Sequence, residues 1–261
     1  MAEGQVGTTG RHGGSAPRRR DRRGGLHRHA ATILVASLLW VVPSAAWSAQ
    51  DAFPIKADDG APIANHRADA GIEREIEKLS GVVVVGNPHG KVTLAEFYDV
   101  NCPYCRQASG DIDGWLKTNH ELRLVLVPFP VLGVGSIQGT RVELAVARLA
   151  SAETFYKFHR LLDQQRGPVS GVQAMAAAQK IGLDPARVLA IANGDDLADI
   201  MRAHVRLGDV LAIQATPGFV IRDVVIVGYP GPNAMAEIVA AAEKCGAVMC
   251  GEGNGGEGGA K

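Results

Sequence analysis

Apolar residues along this chain change their spacing several times, and each change predicts an element. Ile72, Ile76 and Leu79 recur at helical intervals among Glu73, Arg74, Glu75, Glu77 and Lys78, which predicts a short helix ending at Ser80-Gly81. Residues 82–85 are all valine and are closed by Gly86-Asn87-Pro88, the pattern of a strand followed by a turn. Residues 92–98 predict a second strand, 106–119 carry an imperfect helical pattern, and 122–127 predict a third strand, stopped by Pro128 and Pro130. From 136 to 211 the texture changes. Segments 136–149, 152–165, 172–180, 185–191 and 195–211 are rich in Ala, Leu, Arg and Gln, with breaks at Gly167-Pro168, Gly182 and Asn193-Gly194. They predict a block of helices without strands. Strands return at 218–221 and 224–227, joined by Arg222-Asp223, a two-residue turn lacking the glycine such turns favour. Gly231-Pro232-Asn233 opens a last helix over 234–244. Residues 50–70 mix Asp, Ala, Pro and Gly and read as a linker or loosely ordered arm, and the Gly/Glu-rich end of the chain is predicted to be disordered.

Strand, strand, helix, strand, helical block, hairpin, helix is an α/β order. A β-α-β unit followed by a hairpin and a helix builds one mixed sheet covered by helices, and the helical block can be inserted without breaking that sheet. With 46% hydrophobic and 21% charged residues the chain has material for a core. Its formal net charge of +0 conceals an asymmetry, because the first 48 residues carry seven arginines against Glu3 and Asp21, leaving the rest acidic. An acidic body gives no electrostatic case for nucleic-acid binding. The arginines precede an apolar stretch over 30–42, then Pro43 and the small residues Ser44, Ala45 and Ala46, with Ser48 and Ala49 just beyond. Basic lead, apolar core and small-residue exit together predict a secretory signal peptide over residues 1–48. The apolar core is shorter than the roughly 20 residues a membrane span needs. Export follows, to the periplasm or the medium, where cysteine pairs tend to oxidise.

The four cysteines fall in two close pairs, Cys102/Cys105 and Cys245/Cys250, and pairing by nearness is the simplest connectivity. Disulfide exchange needs an attacking thiolate and a second thiol near enough to resolve the mixed disulfide. Cys102-Pro103-Tyr104-Cys105 lies between a predicted strand and a predicted helix. At that spacing on a first helical turn the two sulfurs meet, and the free N–H groups of the helix end stabilise the Cys102 thiolate. Pro103 suits an early helical position, where a missing N–H costs nothing. Two other readings stay open here: a purely structural disulfide, and half of a four-cysteine zinc site, which Cys245 and Cys250, five residues apart, serve poorly. Cys245 and Cys250 read as a structural disulfide closing the last helix onto the tail. The eight histidines show no ligand spacing, so no metal and no bound cofactor is expected.

The segment from Val92 to Arg106, with Val-Thr-Leu-Ala-Glu-Phe-Tyr-Asp-Val-Asn-Cys-Pro-Tyr-Cys-Arg, resembles the active-site segment of the DsbA-like family of bacterial periplasmic thiol–disulfide oxidoreductases, as does Thr216-Pro217 before the predicted hairpin. The resemblance runs from about Val82 to Cys245 and implies a thioredoxin fold with an inserted α-helical domain. The corresponding division is signal peptide 1–48, N-terminal arm with a short helix 49–81, thioredoxin fold 82–135 and 212–246, helical domain 136–211, and disordered tail 247–261. It further implies that Pro217 is cis, that Cys102 is the exposed nucleophile and Cys105 the resolving thiol, and that Glu96 is a buried proton relay. Pro103, Tyr104, Thr216 and Pro217 are then the residues that meet substrate. Asp99 and Arg106, flanking the motif, read as solvated. Tyr104 stands where strongly oxidising members carry a histidine, which leaves the direction of electron flow open between an oxidase and an isomerase or reductase. The implied partners are exported proteins with cysteines and a membrane or periplasmic protein that resets the pair, with a homo-oligomer through the N-terminal arm as a further expectation. A thiol-based metal-binding protein and a chaperone-like domain are the rival classes.

Overall fold

The computed structural model of the chain describes residues 53–251. The expected signal peptide lies outside the described residues, as do the first residues of the arm and residues 252–261 of the tail.

In chain order the elements are β1 (Asn65–Arg67), α1 (Ile72–Glu77), β2 (Val83–Gly86), β3 (Val92–Tyr98), α2 (Pro103–Thr118), β4 (Leu122–Pro128), α3 (Val134–Leu149), α4 (Ala152–Asp163), α5 (Gly171–Lys180), α6 (Pro185–Ala192), α7 (Asp196–Val210), β5 (Gly218–Ile221), β6 (Val224–Val227) and α8 (Pro232–Cys245). The strands form one mixed sheet in the order β1-β6-β5-β3-β4-β2. Only β3 and β4 run parallel, which requires the crossover that α2 supplies. All seven residues of β3 are buried, as a strand covered on both faces must be.

Side-chain alternation divides the core in two. Val92, Leu94 and Tyr98 of β3 join Leu122, Leu124 and Leu126 of β4 in a cluster completed by Ala108 and Ile112 of α2, by residues of α3 to α6, and by Met235, Ile238 and Val239 of α8. Ala95 and Phe97 point the other way, to Val125, Val127, Phe129, Ile76 of α1 and the chain after α7. The helical block starts its helices on local chemistry: Ser151, Ser170 and Asp184 each accept an amide hydrogen bond at the start of α4, α5 and α6.

Three regions differ from the expectation. The arm read as a linker is ordered: β1 pairs antiparallel with β6, Lys56 bridges Pro62, and Ile55 is buried. A three-residue edge strand, Asn-His-Arg, is too short to show a period. The start of the tail is likewise held, with Val248 buried and Cys250 bonded to Cys245. The helix expected from 106 begins at Pro103, for a reason that belongs to the site.

The turn without a glycine has its own explanation. Arg222 and Asp223 both adopt left-handed backbone, φ 50° and 58°, as a two-residue hairpin turn requires. Arg222 donates its amide to Glu73 at 2.7 Å and its guanidinium to the carbonyls of Ala242 and Lys91, while Asp223 accepts the amides of Gly71 and Ala68. Those contacts with α1, α8 and the arm offset the cost of the conformation.

Candidate active site

Cys102 closes the loop after β3 in extended conformation, φ −76° and ψ 122°, and is the N-cap of α2. Its sulfur takes the place that a serine or aspartate oxygen usually fills: Cys102 Sγ accepts the amide hydrogen of Cys105 at 3.4 Å. Pro103 follows at N1. This is why α2 starts three residues before its helical pattern of side chains becomes readable.

Thr216 lies opposite. Cys102 Sγ is 3.1 Å from the Thr216 carbonyl oxygen, to which its thiol donates, although 114 residues separate the two. The Thr216–Pro217 peptide is cis. Pro217 is buried, Thr216 half-buried, and Ala215 and Gln214 before them exposed. Tyr104 is 61% exposed, and Pro103 is exposed beside it. Neither cysteine matches the expectation of one exposed nucleophile, since both are 3% exposed and unbonded. What separates them is that hydrogen bonds dominate at Cys102 and burial dominates at Cys105.

Hydrogen bonding from the Cys105 thiol pulls Cys102 down to about 6, helped by Thr216 and by the amides of Cys105 and Tyr104, against the opposing effect of burial. Cys105 moves the other way: burial, the hydrogen bond it gives to Cys102, and the negative charge of Glu96 hold its proton on. One sulfur ionises near neutrality and its neighbour stays a thiol, the asymmetry that exchange chemistry needs.

Glu96 lies on the same face of β3 as Tyr98 and is 1% exposed. Burial pushes its carboxyl up to about 8, His159 opposes this, and Asp163 and Cys102 add to it. A carboxyl that titrates near neutrality beside Cys105 can give or take a proton there.

Asp99 and Arg106, read as solvated, are structural. Asp99 is 1% exposed and accepts hydrogen bonds from the amides of Asn101, Val131 and Leu132 and from the Ser136 hydroxyl, at 2.6 to 2.9 Å. Its carbonyl accepts the Cys102 amide at 2.9 Å. Arg106 donates to the carbonyls of Val100, Gln165 and Gly167, pinning the loop after α4 against α2. A single charged residue beside a motif carries no burial signal in the sequence, and charged residues are mostly exposed.

A buried polar group near Glu96 also escaped the sequence reading: Glu143 on α3 with His159, Arg160 and Asp163 on α4. The signal was there in part, since His159 falls within the apolar stripe of Phe155, Phe158 and Leu162. Cys245 and Cys250 form a disulfide at the end of α8. Among the described residues no group of three or more His, Cys, Asp or Glu is placed to hold a metal ion, and no helix is long and apolar enough to cross a membrane.

A family model described as Thioredoxin matches residues 78–241. Among solved structures, a thioredoxin-like oxidoreductase from Silicibacter pomeroyi DSS-3 is 29% identical, with 63% of this chain and 94% of that chain covered at a TM-score of 0.58. A periplasmic thioredoxin-like protein from Salmonella enterica serovar Typhimurium is 23% identical over 67% of this chain and 97% of that one, TM-score 0.59. The thiol-disulfide exchange protein alpha-DsbA2 from Wolbachia pipientis is 22% identical over 66% and 98%, TM-score 0.58. For the latter two the likeness is one of fold. No curated protein sequence matches the chain.

Proposed function

This chain belongs to the thioredoxin family, and we propose that it is a thiol–disulfide oxidoreductase that exchanges disulfides with exported proteins through Cys102-Pro103-Tyr104-Cys105. The observation that carries this reading is the opposed behaviour of two sulfurs one helical turn apart, Cys102 drawn down to about 6 and Cys105 held as a thiol.

Starting from the Cys102–Cys105 disulfide, a substrate thiolate attacks Cys102 Sγ, the bond between the two enzyme sulfurs breaks, and Cys105 leaves with the electron pair. Cys105 takes a proton, for which the Glu96 carboxyl is the buried donor. A second substrate thiolate then attacks the substrate sulfur of the mixed disulfide and expels Cys102 as a thiolate, stabilised at the start of α2. Two substrate thiols become one disulfide, and the enzyme pair gains the two electrons. A partner disulfide must accept these electrons for the next turnover, and no bound cofactor takes part.

Thr216, Pro217, Pro103 and Tyr104 are the proposed substrate contacts, because they border the Cys102 sulfur and Tyr104 projects from it. Export to the periplasm fits the basic and apolar leader of the sequence. An oligomer through the arm draws no support from residues 53–81, where Ile76 of α1 is buried within this chain and β1 pairs with β6.

The test is exchange with a reduced, unfolded substrate protein in a glutathione buffer. Wild-type protein should form substrate disulfides and Cys102→Ala should form none. Equal activity of the two would end the proposal. The redox potential of the pair, read in the same buffer, decides between oxidase and reductase.

A further inference from the structure

The face of β3 that carries Glu96 is covered by a buried polar group spanning two helices of the insertion. His159 is 3% exposed. Its Nδ1 lies 3.0 Å from Glu143 Oε1 and its Nε2 lies 3.4 Å from Asp163 Oδ2. The ring meets Tyr98 edge to face with centroids 4.7 Å apart, and Tyr98 is two residues beyond Glu96 on the same face. Asp163 accepts the Ser109 hydroxyl, and Arg160 donates to Ser109 at 2.6 Å and to Asp163 at 3.3 Å. Ser109 stands one helical turn after Cys105 on α2, so the group reaches the active-site helix.

A neutral imidazole has one N–H and one lone pair. Here both nitrogens face side-chain carboxyl oxygens; against carboxylates a lone pair at either position would be repelled, and the doubly protonated ring is the form that satisfies both contacts. Such a buried ion is costly unless paired, and Glu143 and Asp163 pair it. Consistent with this, His159 is raised to about 9; burial pulls it down, but Asp163 and Glu143 outweigh that.

From these contacts we infer that His159, fixed as a cation between Glu143 and Asp163, is a positioning residue that keeps the Glu96 carboxyl able to release its proton during exchange at Cys105. The inference rests on the oxidoreductase reading and adds a role for the helical insertion. When Cys105 attacks a mixed disulfide on Cys102, its proton passes to Glu96 as the sulfur–sulfur bond forms and the substrate thiolate leaves. When Cys105 is the leaving sulfur, the proton returns from Glu96. A carboxyl with burial alone acting on it would stay protonated and could only give. The other charged or titratable groups that act on Glu96 are Cys102 and Cys105 at the start of α2, Tyr98 on β3, Arg160 and Asp163 on α4, and Tyr229, which donates to Asp111 at 2.7 Å, while Glu143 on α3 meets Tyr98 and His159.

His159→Gln removes the cation and keeps hydrogen-bonding capacity. The readout is the pH profile for release of a small thiol from its mixed disulfide with Cys102, the step in which Cys105 loses its proton. The midpoint should rise by about one pH unit, slowing release at neutral pH about tenfold, while alkylation of Cys102 keeps its own midpoint. In a Glu96→Gln background the same substitution should change nothing further. A folded His159→Gln protein with the wild-type midpoint overturns the inference, and so does an undiminished shift in the Glu96→Gln background. Should His159→Gln not fold, NMR of the wild-type ring decides: an imidazolium at neutral pH supports the inference and a neutral ring overturns it. Absence of exchange by the wild-type chain would instead strike at the oxidoreductase reading, leaving the ring measurement to judge His159 alone.

Discussion

Asp99 accepts the Ser136 hydroxyl at 2.6 Å and thereby ties the loop after β3 to the first turn of α3. The same carboxyl holds the amides of Val131 and Leu132, and Asn101 beside it donates to Ser136 and accepts the Val169 amide. The loop that presents Cys102 is thus fixed to the helical insertion by buried hydrogen bonds rather than by packing alone. Asp99→Asn turns one acceptor oxygen into a donor facing donors. It should cost about 3 kcal/mol of stability, since buried groups lose both partner and solvent. Urea denaturation measures this. Because the Asp99 carbonyl also anchors the Cys102 amide, exchange should slow as well, where a remote surface change of equal cost would leave it intact.

Cys102 should be alkylated with a midpoint near pH 6 and Cys105 should resist across the same range. Thr216→Val keeps the carbonyl that faces the sulfur but removes the side-chain hydroxyl that helps hold Cys102 down, and should raise the midpoint by roughly half a unit to one unit. The sign for stability follows from the lowered value. The reduced protein holds this contribution above the ordinary thiol range and loses it as pH falls through about 6. The disulfide form has no such titration, so the gap in melting temperature between the two forms should change over that window. Iodoacetamide kinetics and paired melting curves check the two halves.

Most of the fold could be read from side-chain spacing because most of its elements are long enough to repeat a period. Both hairpin strands fall at 218–221 and 224–227 as expected, and the helices of the insertion lie within two residues of their expected ends. Spacing fails where chemistry sets the boundary: α2 begins at Pro103 because a sulfur caps it, which no hydrophobic pattern records. It fails again for β1, three residues long, which depends on β6 for its existence. At the site, Cys102 and Cys105 were legible from their spacing, and Glu96, Thr216 and Pro217 from the family resemblance. His159, Glu143 and Asp163 come from two helices and converge only in three dimensions. Asp99 carries no local mark of the four donors that surround it.

The Cys245–Cys250 bond closes a loop with a sequence separation of 5 at the end of α8, so it restricts the unfolded chain only modestly. Replacing both cysteines by serine should lower stability by roughly 2 kcal/mol on the chain-entropy argument. The exchange rate and the Cys102 midpoint should not change, because neither sulfur contacts α2 or Thr216. Loss of exchange in this variant would mean that the second pair takes part in electron transfer. Denaturation and the glutathione exchange assay, run on the same sample, separate the outcomes.

Glu96→Gln tests the relay through stability and rate at once. Glu96 ionises near 4.5 in the unfolded chain and at about 8 in the folded one. A raised carboxyl contributes its full stability below the lower value and loses it as pH climbs through the upper one. By neutral pH this loss amounts to about 3 kcal/mol in the reduced protein. Glutamine cannot ionise, so the variant should be the more stable protein at pH 8 and no better than wild type at pH 4.5. His159 titrates between 6.5 and about 9 and loses stability with rising pH in the same way, so the diagnostic is the difference between variant and wild type rather than either curve. The kinetic effect has the opposite sign. Without a buried group to take the proton from Cys105, release from the mixed disulfide should slow on the order of a hundredfold, while attack by the Cys102 thiolate is little affected. A protein that gains stability at alkaline pH and loses the resolving step would separate proton transfer from packing at this position, and equal resolving rates in the two proteins would remove Glu96 from the mechanism.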